Sequence, residues 1–395
     1  MPTELPAPIQ QRLLTPGPTA VPPAVLAEMA LPIIHHRTKA FRAIFKTLSE
    51  QLQWLFQTKG PVLSIAGSGT TAFEAAQVCL AVPGSTVVTI AGGKFGERWQ
   101  DIYDTYAPYL QTTNVKLSHA WGSAAPLDQL EKTLKQNPAA SVVTLVHSET
   151  STATASDAQA VAAVVRKLAP QALLIVDGIT SVGALPVEMD AWGIDCLVTG
   201  SQKALMLPPG LGFVGLGERA LARLKDQPAG PTYNLDLRRW LKAHAEQDVP
   251  FTPPVSLIRA QKVALDLIQA VGLEGTIART RRLAVATRAA LQALQLKLIS
   301  TSPSDSVTGA FYPEGVDDSK FRGALRDKHG VHIAGGQDGR GAKWKISIFR
   351  LSHMGYVDAG DTAAALSAIE HELLALGKLA TPAGTAARAF AEAYG

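Results

Sequence analysis

The strongest constraint on this chain is an alternation. Short runs rich in aliphatic and β-branched residues, at 61–65, 86–90, 141–146, 172–176, 196–199 and 212–215, are separated by longer segments, and those at 71–80 and 158–168 have helical periodicity. A short, continuously apolar run suits a strand buried on both faces, and a helix between two such strands returns the chain so that they run parallel. The expected class is therefore α/β, with a large, mostly parallel sheet covered by helices on both faces. Past Phe251-Thr-Pro-Pro the pattern changes to long helices, 256–271 and 273–294, followed by a few strands and a last helix at 361–376. That change predicts a smaller C-terminal α+β domain. The expected organisation is a Pro-rich N-terminal arm over 1–22, a large domain over 23–255, the small domain over 256–378, and an Ala/Gly-rich tail over 379–395 that the pattern determines only weakly.

With 395 residues, 47% of them apolar, there is ample material for a core of this size. The net charge of +4 comes from 37 basic and 33 acidic residues spread along the chain. The densest basic cluster, Arg279-Thr280-Arg281-Arg282, fits one solvated helix face, so no nucleic-acid partner is expected. Cys79 and Cys196 both lie in apolar segments, which argues against a disulfide framework and for a reducing cytoplasm. No apolar run approaches the roughly 18 residues of a membrane span, and the N-terminus lacks the basic start of a signal peptide, so no membrane association is expected.

Four segments carry chemistry. Ala66-Gly-Ser-Gly-Thr-Thr-Ala is a glycine-bearing turn between a strand and a helix. Unpaired N–H groups at a helix start, with hydroxyls from Ser68, Thr70 and Thr71, can bind a phosphate. The same residues match a dinucleotide fingerprint, but the next strand ends in Ala-Gly-Gly-Lys without the acid that would hold a ribose. An ordinary strand-to-helix turn would also look like this. The second segment is the apolar strand Leu173-Leu-Ile-Val-Asp177, whose terminal carboxylate should face the ligand crevice and need a cationic partner. A helix cap is the plain alternative. No His, Asp or Cys cluster with metal-ligand spacing lies nearby, and His35-His36 are adjacent rather than spaced along a helix face, so no metal is expected.

The third segment, Thr199-Gly-Ser-Gln-Lys203-Ala, places a lysine in a polar turn directly after an apolar strand. In a partly dry pocket its amine would lose proton affinity and become free to form an imine with a carbonyl. A phosphate cup, an aspartate for a ring nitrogen and an imine-forming lysine are together the parts that pyridoxal 5′-phosphate requires. The fourth segment, Ile348-Phe-Arg350-Leu-Ser-His-Met-Gly, presents an arginine that can hold a carboxylate through two parallel hydrogen bonds, or serve as one half of a structural ion pair. The stretch before it, Ala334-Gly-Gly-Gln-Asp-Gly-Arg-Gly, reads as a flexible loop able to close over a site, and His35 and His36 can line its entrance.

The chain resembles the class V, fold type I, pyridoxal-phosphate aminotransferases, within them the alanine/serine–glyoxylate group and its bacterial relatives. Those relatives include the small subunit once assigned to a soluble hydrogenase and the ureidoglycine–glyoxylate enzymes. The similarity runs from Leu13 to about Leu376. It rests on nine motifs in register: Thr-Pro-Gly-Pro-Thr at 15–19, His-His-Arg-Thr at 35–38, Gly-Ser-Gly-Thr-Thr at 67–71, Gly-Lys-Phe-Gly-Glu-Arg at 93–98, His-Ser-Glu-Thr-Ser-Thr at 147–152, Val-Asp-Gly-Ile-Thr-Ser at 176–181, Gly-Ser-Gln-Lys-Ala at 200–204, Phe-Thr-Pro-Pro-Val-Ser-Leu at 251–257 and Phe-Arg-Leu-Ser-His-Met-Gly at 349–355.

The resemblance implies that Lys203 bonds the cofactor and that Asp177 partners the pyridine nitrogen. Ser68, Gly69, Thr70 and Gln202 would bind the phosphate, with Thr252 reaching it from the other subunit of a homodimer whose active sites lie at the interface. Phe95 stands where the family often stacks a tryptophan on the ring, and Thr150 at a hydroxyl position near the phenolic oxygen. Arg350 would clamp the substrate α-carboxylate, with Gly17 beside the side-chain end of the pocket. Val249 replaces a tyrosine and Thr70 a histidine of some relatives. The implied reaction moves an amino group from alanine or serine to a 2-oxo acid such as glyoxylate or pyruvate. Ureidoglycine–glyoxylate transamination, a lyase or cysteine desulfurase of the same fold, and a non-catalytic binding subunit are the alternatives. If a second cation enters the site, Arg37 and Arg340 are the candidates.

Overall fold

The structure is a computed structural model that describes residues 10–395; residues 1–9 of the expected N-terminal arm lie outside the described residues. Seven strands form one sheet in the order Val62–Gly67, Gly210–Leu216, Cys196–Gly200, Leu173–Asp177, Val142–Val146, Thr86–Ala91 and Thr113–Ser118. Only Gly210–Leu216 runs antiparallel to its neighbours. In the strands Val142–Val146, Leu173–Asp177 and Cys196–Gly200 every residue is buried. Since successive side chains point to opposite faces, both faces of the sheet are covered.

Six of the seven strands match the apolar runs. The seventh, Thr113–Ser118, is the edge strand: it pairs on one side only, and its sequence Thr-Asn-Val-Lys-Leu-Ser is mostly polar and largely solvent-facing. An edge strand needs no continuous apolar run, which is why periodicity passes over it. The helix Gly69–Leu80 packs on Cys196–Gly200 and Gly210–Leu216, and on the helix Lys94–Leu110. Between those two helices Phe73 and Trp99, both fully buried, lie with ring centroids 4.3 Å apart.

A second sheet has Ile348–Ser352 between Val307–Phe311 and Ala334–Gly335, both antiparallel to it. It covers a separate apolar cluster that includes Leu283, Phe321, Phe349, Leu366 and Ile369. The helix Val255–Val271 buries Ile258, Leu265 and Ile268 in the large cluster instead, while Leu14 at the start of the chain joins the second one. Arg12–Leu13 pairs in parallel with Val331–His332. The tail, weakly determined in sequence, forms a helix, Thr385–Tyr394, against Leu273–Ala293. Ala386, Phe390 and Tyr394 recur at four-residue spacing on one face, and Arg282 lies 5.3 Å above the Tyr394 ring.

Because the Phe73–Trp99 contact fixes the spacing of the two helices whose first turns reach the strand ends, its loss should be felt globally. Phe73→Ala should cost about 3–5 kcal/mol in urea unfolding; a loss under about 1 kcal/mol would mean that the helices are held by other contacts.

Candidate active site

The ends of Val62–Gly67, Leu173–Asp177 and Cys196–Gly200 open on one edge of the sheet, where parallel folds place ligands. At the first, the chain turns into Gly69–Leu80, whose first N–H groups have no carbonyl partner within the helix. Gly69 has no room for a side chain, because a methyl there would overlap Ile179. Ser68, Gly69 and Thr70 line a cavity of about 180 Å³ together with Phe95, Thr150, Asp177, Gln202 and Lys203. Eight residues from five separate motifs thus share one space.

Asp177 is buried, and its Oδ1 accepts a hydrogen bond of 2.9 Å from the Ile179 N–H. Its pKa is pushed up to about 7, chiefly by burial and also by the neighbouring Glu149 carboxylate, against the Ile179 N–H and the Arg98 charge. Lys203 Nζ donates to the Pro16 carbonyl at 2.7 Å. Its pKa is lowered to about 8, chiefly by burial and also by the Arg350 charge, with Asp177 opposing them. The N-terminal segment closes on this lysine from above: Thr19 Oγ1 donates to the Lys203 carbonyl at 2.8 Å, and the Thr19 N–H to the Gln202 carbonyl at 3.1 Å. At Gly17, with φ of +133°, any Cβ would overlap the Lys203 side chain, so only glycine fits.

Arg350 is buried on the second sheet and does not line the cavity. Its Nε and Nη2 donate to the Gly335 carbonyl at 3.0 and 2.7 Å, and its Nη1 to the Thr150 carbonyl at 2.7 Å. Of five N–H groups, these bonds leave two for another acceptor. Burial lowers its pKa to about 10. Thr252 is exposed and absent from the lining of its own chain's cavity; exposed His35 and half-buried His36 are absent from it too. The loop expected to be flexible is docked: the Arg340 and Gly341 N–H groups donate to Glu97 Oε1 at 2.7 and 3.1 Å, and Arg340 Nη1 pairs with Asp101 at 2.6 Å. Arg37 is paired with Asp248 at 2.8 Å. Neither lines the cavity.

Two functional groups escaped sequence reading. Arg98 lines the cavity, donates to Thr70 Oγ1 at 3.1 Å, and lies 4.8 Å above the Phe95 ring. Glu149 is buried and accepts from the Phe95, Gly96 and Ser151 N–H groups at 3.1, 3.0 and 3.1 Å, and from Ser151 Oγ at 2.6 Å. Burial raises its pKa against the pull of those bonds. It thereby caps the helix Lys94–Leu110 and fixes Phe95 at the cavity wall. The one signal the sequence offered was an acidic residue just past the apolar run 142–146, within the Ser/Thr-rich stretch 147–152.

These groups fit a cofactor that combines a phosphate, a carbonyl and a basic ring nitrogen. The free N–H groups and Arg98 suit the phosphate. Gln202 adds a side-chain amide whose Oε1 is buried without a partner; a half-turn of the amide would present its N–H₂ instead. Asp177 offers a buried carboxylate for a protonated nitrogen, and Lys203 a near-neutral amine for a carbonyl carbon. In the protein without cofactor, modification of Lys203 by an aldehyde reagent, trapped with borohydride and read by peptide mass spectrometry, should rise with pH and reach half its maximum near 8. A midpoint near the ordinary lysine value of about 10.4 would show that the amine is not desolvated.

Residues 13–359 match the protein family described as Aminotransferase class-V. The chain is 40% identical to the soluble hydrogenase small subunit of a Synechococcus strain, over 92% of this chain and 93% of that one. It is 32% identical to the serine–glyoxylate aminotransferase of Hyphomicrobium methylovorum, over 97% and 95% of the two chains. Among solved structures it is similar to a subgroup IV aspartate aminotransferase from Thermus thermophilus, with a TM-score of 0.83 at 34% identity, over 91% of this chain and 99% of the other.

Proposed function

The chain belongs to the class V aminotransferases, which are pyridoxal-phosphate-dependent enzymes of fold type I, and we propose that it moves the amino group of a small L-amino acid, alanine or serine, to glyoxylate or pyruvate. The observation that carries the small donor is the closeness of the N-terminal segment: the Pro16 carbonyl lies 2.7 Å from Lys203 Nζ, and Gly17 leaves no space beside it. A donor reacting at that amine has room for only a short side chain.

When bound, pyridoxal phosphate supplies a carbonyl carbon and an electron-withdrawing ring that accepts and returns the amino group. Ser68, Gly69, Thr70, Gln202 and Arg98 would hold its phosphate, Phe95 would cover the ring, and Thr150 would meet the phenolic oxygen. Asp177 would keep the ring nitrogen protonated. Lys203, neutral in part near pH 8, would bond the carbonyl and then, released by substrate, take the proton from the substrate Cα and return it on the other side of the transfer. The two uncommitted N–H groups of Arg350 would receive the α-carboxylate and so orient that Cα–H bond. Thr252, exposed at its own site, would complete the phosphate site of a second copy in a homodimer, and the working compartment would be the cytoplasm. No helix among the described residues is long and apolar enough to cross a membrane.

Desulfurase chemistry needs an accessible, acidified thiol. The chain's two cysteines are buried, and burial raises both thiols, Cys79 to about 11 and Cys196 further still. A second donor class has one observation in its favour. Arg98 is a second cation at the cavity, and it is free to meet a distal carboxylate if the phosphate leaves it uncommitted.

Lys203→Ala should abolish transamination and remove the yellow absorbance that borohydride fixes to the wild-type chain; covalent cofactor retained on another lysine would overturn the assignment. Asp177→Ala should bind cofactor yet lose most activity, at least about a hundredfold by analogy with other positioned acid–base groups. A rapid-mixing panel that follows bleaching of that band tests the donor. Alanine or serine should bleach it faster than aspartate or glutamate. The reverse order, abolished in Arg98→Ala, would transfer the assignment to dicarboxylic donors, and no bleaching by any amino acid would favour a binding subunit.

A further inference from the structure

Away from the cavity, the second apolar cluster carries a polar group on its surface that transamination does not use. The helix Asp318–His329 ends at Gly330, whose φ of 64° caps it, and its last residue, His329, faces the neighbouring helix Ala359–Ala375. There, His329 Nε2 lies 2.8 Å from Glu372 Oε1, and the His329 and His371 rings meet edge to face at 5.4 Å between centroids. One ligand atom from each of His329, His371 and Glu372 falls within 4.8 Å of the other two. None of the three lines the Lys203 cavity.

A basic residue at a helix C-terminus, paired with a carboxylate, is ordinary electrostatics and accounts for His329, Lys328 and Glu372. It does not account for His371, which is exposed and makes its contact with another imidazole rather than with an acceptor. Two imidazoles and one carboxylate converging, with one side open to solvent, form the donor set of a three-ligand zinc site whose fourth position is water. Imidazole selects zinc and its first-row neighbours over calcium and magnesium, which require mainly oxygen ligands. We propose that His329, His371 and Glu372 form a Zn²⁺ site that clasps these two helices, with Lys328 as its built-in competitor.

The role of Lys328 follows from its position. Its Nζ lies 3.1 and 3.3 Å from the two oxygens of Glu372, so it supplies the positive charge that a divalent ion would otherwise supply. The side chain is 64% exposed and free to swing into water. For all three to reach one ion at about 2.0–2.2 Å, the His329 and Glu372 atoms must separate by roughly half an ångström and the widest pair must close from as far as 4.8 Å, which for exposed His371 requires only rotation of its own side chain. The chain that leaves this corner is also the anchor of the N-terminal segment: the Arg12 N–H donates to the Gly330 carbonyl at 2.7 Å, and Val331–His332 pairs with Arg12–Leu13. Clasping the corner would therefore raise the stability of the register that carries Pro16 and Gly17 to Lys203.

The test uses cofactor-loaded protein freed of metal by a chelator and titrated with zinc chloride, read by calorimetry and by thermal unfolding. One ion per chain and a raised Tm are expected. His371→Ala, a change at an exposed position, should leave the chelated protein's Tm unchanged and weaken binding at least about tenfold, the low end of what even indirect partners of a metal cost. Lys328→Met should tighten binding, because the competing charge is gone. His36→Ala, in the separate stacked pair His35–His36, should change nothing. Equal binding by wild type and His371→Ala, loss of binding in His36→Ala, weaker binding in Lys328→Met, or zinc taken up only by aggregating chains would each overturn the site.

Discussion

The hydrogen bond from Lys203 Nζ to the Pro16 carbonyl ties together parts of the molecule that the chain keeps far apart. It joins a turn at the end of a buried strand to a segment anchored by the pairing of Arg12–Leu13 with Val331–His332 and, on the second sheet, by the Ser352 N–H, which donates to the Leu14 carbonyl at 2.7 Å. A lysine ammonium taken out of water is costly unless it finds acceptors or gives up its proton. Here one carbonyl is offered, and the remaining cost appears as lowered proton affinity. The two sheets must therefore keep their relative placement if the amine is to stay reactive.

The charges around that amine form an ordered set. Glu149 raises the proton affinity of Asp177, Arg98 opposes it, and Arg350 lowers that of Lys203. Three of these groups are held by backbone: Glu149 by three N–H groups, Arg350 by two carbonyls, Asp177 by the Ile179 N–H. Fixed backbone dipoles of this kind do not have to reorganise when charge moves during a reaction, which is the main way a buried polar site lowers a barrier. Glu149 links the two functions, because two of the N–H groups it accepts from belong to the turn that presents Phe95.

Much of this was legible before any coordinates. Six strands announced themselves because a strand covered on both faces must be apolar throughout, and Asp177 and Lys203 stood out because each interrupts such a run at its end. The edge strand Thr113–Ser118 did not, since it has no continuous apolar run, and the tail helix Thr385–Tyr394 did not, since its apolar spacing extends over a short, Ala-rich segment only. Arg98 closes the motif at 93–98 without a role that the sequence assigns, and only its orientation over Phe95 and toward Thr70 brings it to the cavity. Arg340, a candidate for the second cation, is instead held by Asp101 and the first turns of that same helix.

By itself, the order of residues determined the α/β class, the succession of cup, aspartate and lysine, and the family to which they point. These depend on local periodicity and on residues next to one another in the chain, which sequence displays directly. The tertiary structure decided what those residues can do. Whether Lys203 is neutral near pH 8 depends on burial and on Arg350, which lies far along the chain, and whether Arg350 has N–H groups to spare depends on Gly335 and Thr150. The pairing of His329 with His371 and Glu372 has the same origin, in the packing of two helices. Desolvation and Coulomb interaction act through space, and distance in space is the quantity that a linear sequence does not contain.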